Sequence, residues 1–585
     1  MGKTICQIAP HSWVKRFAKS RHIFEEDTRM PRPNSLSLLL VAAMFALLSD
    51  ALAQTPAEPR VDASKSVALS LSEAVARALA NSRDIEVERL NVLKNEFDVK
   101  AAHGAYDPTF SSSLTFERRN TPVASILAGG ENGKLTTNDL FGQAKLARKM
   151  PWQGGSMSVS FEQNRSTTQN QFFALNPQYS TSLFVEYTQP LLRNRKMDAE
   201  RRKLKIAKKK LDLSDSQFRQ RAIEIIASVE RAYWDLAFAR RDEAIKRASV
   251  ALANTQLEHN LRQVAQGTLA PAEVTSARVE IARRTDEAEA ATETIVRAEN
   301  ALKALLSQPS NDELWNATIT PTDQPDVRNA APMLLGDALK TAFTNRPELE
   351  QYRLRGELNG VDVEYQREQT KPQVDFVAGY GTLGLAGSAR TETNPIIASN
   401  QQLIDRINQL SQVAGLPALT PVSFGTIPDR YYGGYGQSLA NMFRNDSRTF
   451  RVGVNIALPL GNRTAKANLG RALVEGKQLD VERQRAEHQI EVEVRNAVQA
   501  VETAQRRIAA AKASRSNAEL QLKSEQNKFD AGLSTNFLVL DRQNALSLAQ
   551  GRELKAITDY NKAVSELQRA LATTLTEKNI EIASR

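Results

Sequence analysis

Hydrophobic and polar positions along this chain follow two periodicities, and the switch between them occurs more than once. Phe218, Ala222, Ile225, Val229, Ala232, Tyr233 and Leu236 recur at spacings of three and four, which places them on one stripe of a helix. A second such stripe runs through Ile490, Val494, Ala497, Val498, Val501, Ala504 and Ile508. No proline lies between Pro190 and Pro271, and none follows Pro459. Uninterrupted rods over residues 196–264 and 464–530 are therefore expected, each about 100 Å long at ~1.5 Å per residue.

Elsewhere the period is two. Phe110, Leu114 and Phe116 alternate with Ser111, Ser113, Thr115 and Glu117. Val374, Phe376, Ala378 and Tyr380 alternate with Gln373, Asp375 and Gly379, and Phe450, Val452, Val454, Ile456 and Leu458 with Arg451 and Asn455. These segments read as strands. A soluble sandwich would account for half-buried strands, but runs of ~9–11 residues have the span of a tilted membrane strand, and a face of large aromatics opposite Ser, Asn and charge suits lipid outside and water inside.

The two periodicities belong to an internal repeat. LSEAVARALANSRDIE from Leu71 aligns without a gap on LGDALKTAFTNRPELE from Leu335, and at the same offset Pro108 falls on Pro372. TQPLL at Pro190 answers ALPLG at Pro459, and the turn at Gly267 answers that at Gly532. Each copy opens with a helix of about ten turns, residues 70–104 and 334–369, then strands, then the rod. At Gly267 or Gly532 the rod turns back into a shorter helix, residues 272–306 or 535–573, because glycine supplies the left-handed backbone that closes a helix. Two short helices end to end match one rod, so they should meet near mid-height. There the link with Pro309, Pro321, Pro325 and Pro332 would form a belt. The expected organisation is a signal segment 1–53, a first repeat 54–306 with strands over 108–190, a linker 307–333, and a second repeat 334–585 with strands and an external loop over 372–459.

The N-terminus sets the compartment. The apolar stretch Leu36–Leu48 follows several basic residues and precedes Ala51-Leu52-Ala53, the pattern of a cleaved signal peptide; Met30, before Pro-Arg-Pro-Asn, is a plausible alternative start. Thirteen residues are too short for a membrane helix, and no other run approaches the ~20 required. Cys6, the one cysteine, lies inside the segment to be removed, which leaves no thiol chemistry, no cysteine metal site and no lipid attachment at the cleavage point. The net charge of +10 does not imply nucleic acid, because the basic residues alternate with acids along helices in an exported chain. Four to six candidate strands per chain cannot close a membrane barrel, which needs about eight. Open strand edges in lipid cost several kcal/mol per unsatisfied group, so oligomerisation is required.

The paired copies of helix, strands and helical hairpin, the strand ends TQPLL and ALPLG, and the glycine turns VAQGTL and FDAGLS resemble the TolC-like outer-membrane efflux proteins, from about Leu69 to Leu575. The resemblance implies a mainly helical trimeric fold with a shared transmembrane β-barrel and a long periplasmic coiled-coil tunnel. It implies an outer-membrane exit duct of a tripartite efflux or type I secretion system, with a periplasmic adaptor and an inner-membrane pump as partners and with no catalysis or cofactor. It also implies a gate at the hairpin tips. The two acidic gate positions of the family fall on Leu538 and Asp541, of which only Asp541 remains acidic; three copies would form a cation-favouring ring. The latch positions fall on Glu273, Ser534 and Phe529, which keep the acid but lack the basic partner and the aromatic hydroxyl, so apolar closure near Leu538 is expected to replace part of the latch. The turns Gly267-Thr268-Leu269 and Gly532-Leu533-Ser534 resemble adaptor contacts, with Leu269 and Leu533 expected to be exposed. The alternative is a periplasmic coiled-coil adaptor or spacer without a channel, which would be freely soluble.

Two features depart from the simplest plan. Candidate strands at 139–149 and 155–164, about a Pro-Trp-Gln-Gly-Gly turn, either widen the barrel or fold outside it. Residues 385–445 read as an external loop with one helical patch at 399–413. Several other signals carry no chemistry. Gly379-Tyr-Gly-Thr-Leu-Gly384 has no helix after it to bind a pyrophosphate, and His103, His259 and His488 stand alone. The basic run Arg193–Lys210 faces either lipid phosphates or solvent.

Overall fold

The computed structural model describes residues 66–124, 133–307, 313–325, 333–390, 395–420 and 427–582. The signal segment, its cleavage point and Met30 lie outside the described residues.

A short strand β1 (Ser66–Leu69) leads into helices α1 (Leu71–Asn81) and α2 (Arg83–His103), then strands β2 (Thr109–Pro122), β3 (Lys134–Lys149), β4 (Ser156–Thr168) and β5 (Leu175–Pro190). The rod α3 (Ala199–Ala265) and its return helix α4 (Ala272–Leu306) follow, then β6 (Thr318–Pro321). The second copy has α5 (Leu335–Asn345), α6 (Pro347–Gln369), β7 (Gln373–Ala389), α7 (Pro395–Val413), α8 (Tyr435–Phe443), β8 (Arg448–Ala457), the rod α9 (Arg463–Asp530), its return helix α10 (Asn536–Leu571) and a last turn α11 (Thr574–Glu577).

The ten-turn opening helices are each broken in two. At Ser82 (φ −63°, ψ 122°) and Arg346 (φ −63°, ψ 119°) the backbone is extended for one residue. In the second copy Pro347 enforces the break, since the residue before proline is pushed out of the helical region. The first copy has no proline there, so its break is a consequence of packing. Both breaks dock on the matching return helix: Asn81 Nδ2 donates to the Leu306 carbonyl at 3.0 Å, and Arg346 Nε to the Ala570 carbonyl at 2.7 Å. Descending and returning helices thus meet end to end, and the rods flank them.

The core lies at this meeting point. Phe218, Ile225, Val229, Tyr233 and Leu236 are buried with Ala74, Ala78, Leu302, Leu306 and Ile319, while Ile490, Val494 and Ala497 pack with Ala338, Ala342 and Leu571. β1 pairs in parallel with β6 of the link. The Tyr233 hydroxyl closes the belt, donating to the Asp323 carboxylate at 2.7 Å and accepting the Asp323 N–H at 3.1 Å.

The remaining six strands form one antiparallel sheet in the order β2-β3-β4-β5-β7-β8. The additional pair β3 and β4 is therefore part of the sheet, between β2 and β5. One register row runs Phe110, Leu146, Val159, Val185, Tyr380, Phe450 across all six strands, and the adjacent row on the other face runs Ser111, Lys145, Ser160, Phe184, Gly381, Thr449. Most strands are longer than the alternation indicates, 13–17 residues, with β8 at 10. In β2 the apolar side ends at Phe116 and continues as Arg118 and Asn120, so the strand persists where its sequence signal has stopped.

The glycines of the GxGxxG string lie inside β7. A Cβ on Gly379 would collide with the Phe184 ring, and one on Gly384 with α8, so they mark close packing and leave no room for a phosphate. The basic run after β5 pairs with acids of α6: Arg202 with Asp362 at 2.5 Å, Lys205 with Glu364 at 3.3 Å and Lys209 with Glu357 at 2.8 Å. This is a charged helix face in solvent, each pair contributing about 0–1 kcal/mol. Among the described residues of 385–445 lie two α-helices, and α8, unforeseen from the sequence, returns to pack on the sheet.

Candidate functional site at the hairpin tips

Both hairpins turn through the same local geometry. Gly267 (φ 73°) follows the end of α3, with Thr268 N bonded to the Gln263 carbonyl at 2.9 Å and Gly267 N to Val264 at 3.0 Å. Gly532 (φ 75°) follows α9, with Leu533 N on the Lys528 carbonyl at 2.8 Å and Gly532 N on Phe529 at 3.0 Å. These are Schellman closures, which satisfy the last carbonyls of each rod. Nothing lies within 4 Å of where either glycine's Cβ would be, so positive φ alone selects glycine. A Schellman turn commonly packs the residue after its glycine back on the helix. Leu533 is instead 80% exposed. Leu269 is only half-buried, so the expectation of two exposed leucines holds for one of them. Phe537, beyond the second turn, is also exposed.

The acids converge. Glu273 at the start of α4 and Asp541 in the second turn of α10 line one groove of about 530 Å³, together with Glu280, Arg283, Asn536 and Phe537. The Asp541 side chain is 51% exposed, with Arg542 Nη1 at 3.8 Å. A hydrogen bond from Arg283 holds the Glu280 carboxyl below its ordinary range, with Arg284 assisting against the effect of burial.

The other gate and latch positions lie apart from this groove. Phe529 is buried, its ring edge-on to His259 with centroids 5.7 Å apart. The Ser534 hydroxyl donates to Glu525 on its own hairpin and lowers that carboxyl's pKa. Leu538 is 37% exposed and does not line the groove.

Polar side chains join the two hairpins of one chain at the tip. Asn536 Nδ2 donates to Glu273 Oε2 at 3.1 Å, while its Oδ1 accepts from Asn260 Nδ2 at 2.9 Å and Gln256 Nε2 at 3.3 Å. Gln256, Asn260 and Asn536 are buried. One layer further in, Arg284, 2% exposed, donates to Glu280 at 2.8 Å, the Ser249 carbonyl at 3.0 Å, the Leu540 carbonyl at 3.1 Å and Gln543 at 3.2 Å. α3, α4 and α10 are thereby bound through satisfied polar groups. The available sequence signal was Gln256 and Asn260, four residues apart in an otherwise small-residue seam of α3; it named no partner. Among the described residues no cluster of His, Cys, Asp or Glu could hold a metal.

A sheet with one apolar face and open edges is continued into helical hairpins ~100 Å long. The family model described as "Outer membrane efflux protein" matches residues 138–308 and 338–573. The chain belongs to this outer membrane efflux protein family, and its fold is TolC-like. The Campylobacter jejuni CmeC outer membrane channel superposes with a TM-score of 0.57 at 14% identity, covering 88% of this chain and 90% of that one. A membrane protein from Pseudomonas aeruginosa gives 0.56 at 18%, covering 88% and 98%. The open state of the Neisseria gonorrhoeae MtrE outer membrane channel gives 0.55 at 15%, covering 86% and 89%. No curated protein matches in sequence.

Proposed function

We propose that the chain is the protomer of a homotrimeric outer-membrane exit duct serving a tripartite efflux or type I secretion system. The observation that carries this reading is the sheet: an apolar row crosses all six strands, and β2 and β8 end it with unpaired edges. Edges in lipid must be paired, and three copies of six strands give an 18-stranded wall. Because barrel diameter grows roughly linearly with strand number, the additional β3 and β4 widen the duct. The helical hairpins extend into the periplasm, where the turns at Gly267-Thr268-Leu269 and Gly532-Leu533-Ser534 meet a periplasmic adaptor, and through it an inner-membrane pump. Exposed Leu533 supports that contact.

The gate of this reading lies at the tip. Three Asp541 carboxylates around the axis form a cation-favouring ring, and the Glu273–Asn536–Asn260 seam holds the second hairpin against the first. Single-channel conductance of Asp541→Asn tests the ring: cation preference and blockade by multivalent cations should fall, and unchanged behaviour rejects it. For the duct itself the expected result is a heat-dissociable oligomer in the outer-membrane fraction. A freely soluble mature chain would instead support the coiled-coil adaptor reading.

A further inference from the structure

Helix α8, between β7 and β8, has inverted polarity. A helix on a water-facing surface turns its apolar stripe inward and its polar residues out. α8 turns Ser438, Asn441 and Met442 onto the sheet, while Ala440 and Phe443 point away, with Phe443 74% exposed and Leu439 beside them half-buried. The inward polar groups are satisfied: Ser438 Oγ reaches the Gly384 carbonyl at 3.1 Å and Thr181 Oγ1 at 3.0 Å, and Asn441 Nδ2 reaches the Leu385 carbonyl at 2.8 Å. The seat is cut to fit, since a Cβ on Gly384 would lie 2.6 Å from the Met442 backbone nitrogen.

The seat is on the apolar side of the sheet. Thr181 shares its face with Leu183 and Val185, and Gly384 shares its face with Tyr380, whose hydroxyl donates to Asn445 Oδ1 at 2.6 Å just after α8. Its height follows from strand geometry. At ~3.3 Å per residue and a tilt of ~40°, an apolar band ~25 Å tall takes about ten residues. Counted from Val374 on β7, that band ends at Gly384. α8 therefore crosses the outer margin of the band. The rings of Tyr432, just before α8, and Tyr435, its first residue, are exposed, as aromatic side chains are at a membrane interface.

We propose that α8 is a lipid-side buttress, its Leu439–Ala440–Phe443 face immersed in outer-leaflet acyl chains just below their headgroups. This rests on reading the sheet as the membrane wall. It goes beyond that reading in assigning to lipid a segment that the sequence presents as an external loop. The occupant is lipid rather than protein because the face continues the apolar side of the strands beneath it, and because polar groups turned inward suit a hydrocarbon surround.

The test uses the whole oligomer in vesicles, its processed chain free of other cysteines, with an environment-sensitive fluorophore on Phe443→Cys or, separately, on Val452→Cys in the middle of β8. For the Phe443 site the expected result is blue-shifted emission, strong quenching by lipids carrying a nitroxide near the headgroup, and little quenching by aqueous iodide. The Val452 label should respond most to a nitroxide deep in the chains. Strong iodide quenching at Phe443, or shielding from both iodide and nitroxide as under a protein partner, overturns the inference while leaving the wall intact if Val452 responds. A Val452 label insensitive to either nitroxide overturns the wall reading itself.

Discussion

At Arg284, four acceptors from three helices converge on one guanidinium. Removing a buried charge from satisfied partners costs on the order of 3 kcal/mol. Arg284→Met should therefore loosen the tip while sparing the sheet, seen as faster amide hydrogen exchange around Leu540 with unchanged protection in the strands. Glu280 makes the same site acid-sensitive. Its folded pKa is held below the ordinary 4.5, first by Arg283. Its contribution is therefore complete above that value and is lost as pH falls through the folded pKa. Tip exchange should accelerate below about pH 4.5 in the parent, and Glu280→Gln should flatten that dependence. Neither residue stands out in the sequence, where both read as ordinary charges on a solvated helix.

Among the elements, the hairpins are the most locally determined. Gly267→Ala or Gly532→Ala should each cost about 1–2 kcal/mol, the penalty for a side chain in left-handed backbone, because no neighbour opposes the added methyl. Thermal melts of the two variants should agree closely. The broken helices are the opposite case. Arg346 donates to the Ala570 carbonyl, to Glu348 at 3.0 Å and to Glu493 at 2.6 Å, with its side chain nearly enclosed. Arg346→Ala should cost on the order of 3 kcal/mol, whereas Ser82→Ala, at a position whose side chain makes no capping bond, should cost under about 1 kcal/mol. Equal losses would mean that the two breaks are held in the same way.

For the whole molecule, the two faces of the sheet predict opposite tolerance. Leu114 and Ser113 are adjacent in β2 but lie on opposite faces. Leu114→Arg should cost about 2–4 kcal/mol near the bilayer midplane and lower the temperature at which the oligomer dissociates; Ser113→Arg should leave it unchanged. Equal effects would reject the assignment of faces. An image of the assembled duct should count 18 strands, six from each chain.

The sequence by itself determined whatever depends on short-range periodicity. The stripes of α3 and α9, the glycine turns, the copied plan and the alternation of Phe110–Phe116 are legible because side-chain spacing and backbone preference decide them within a few turns. Tertiary structure alone decided what depends on distant partners. It joined β3 and β4 into the sheet, broke the first helix at Ser82 without a proline, aligned Asn536 with Asn260 and Glu273, and folded α8 onto the apolar face at Gly384. In each case the free energy lies in a hydrogen bond or contact whose two halves are remote in the chain, so neither half carries a local signal of the other.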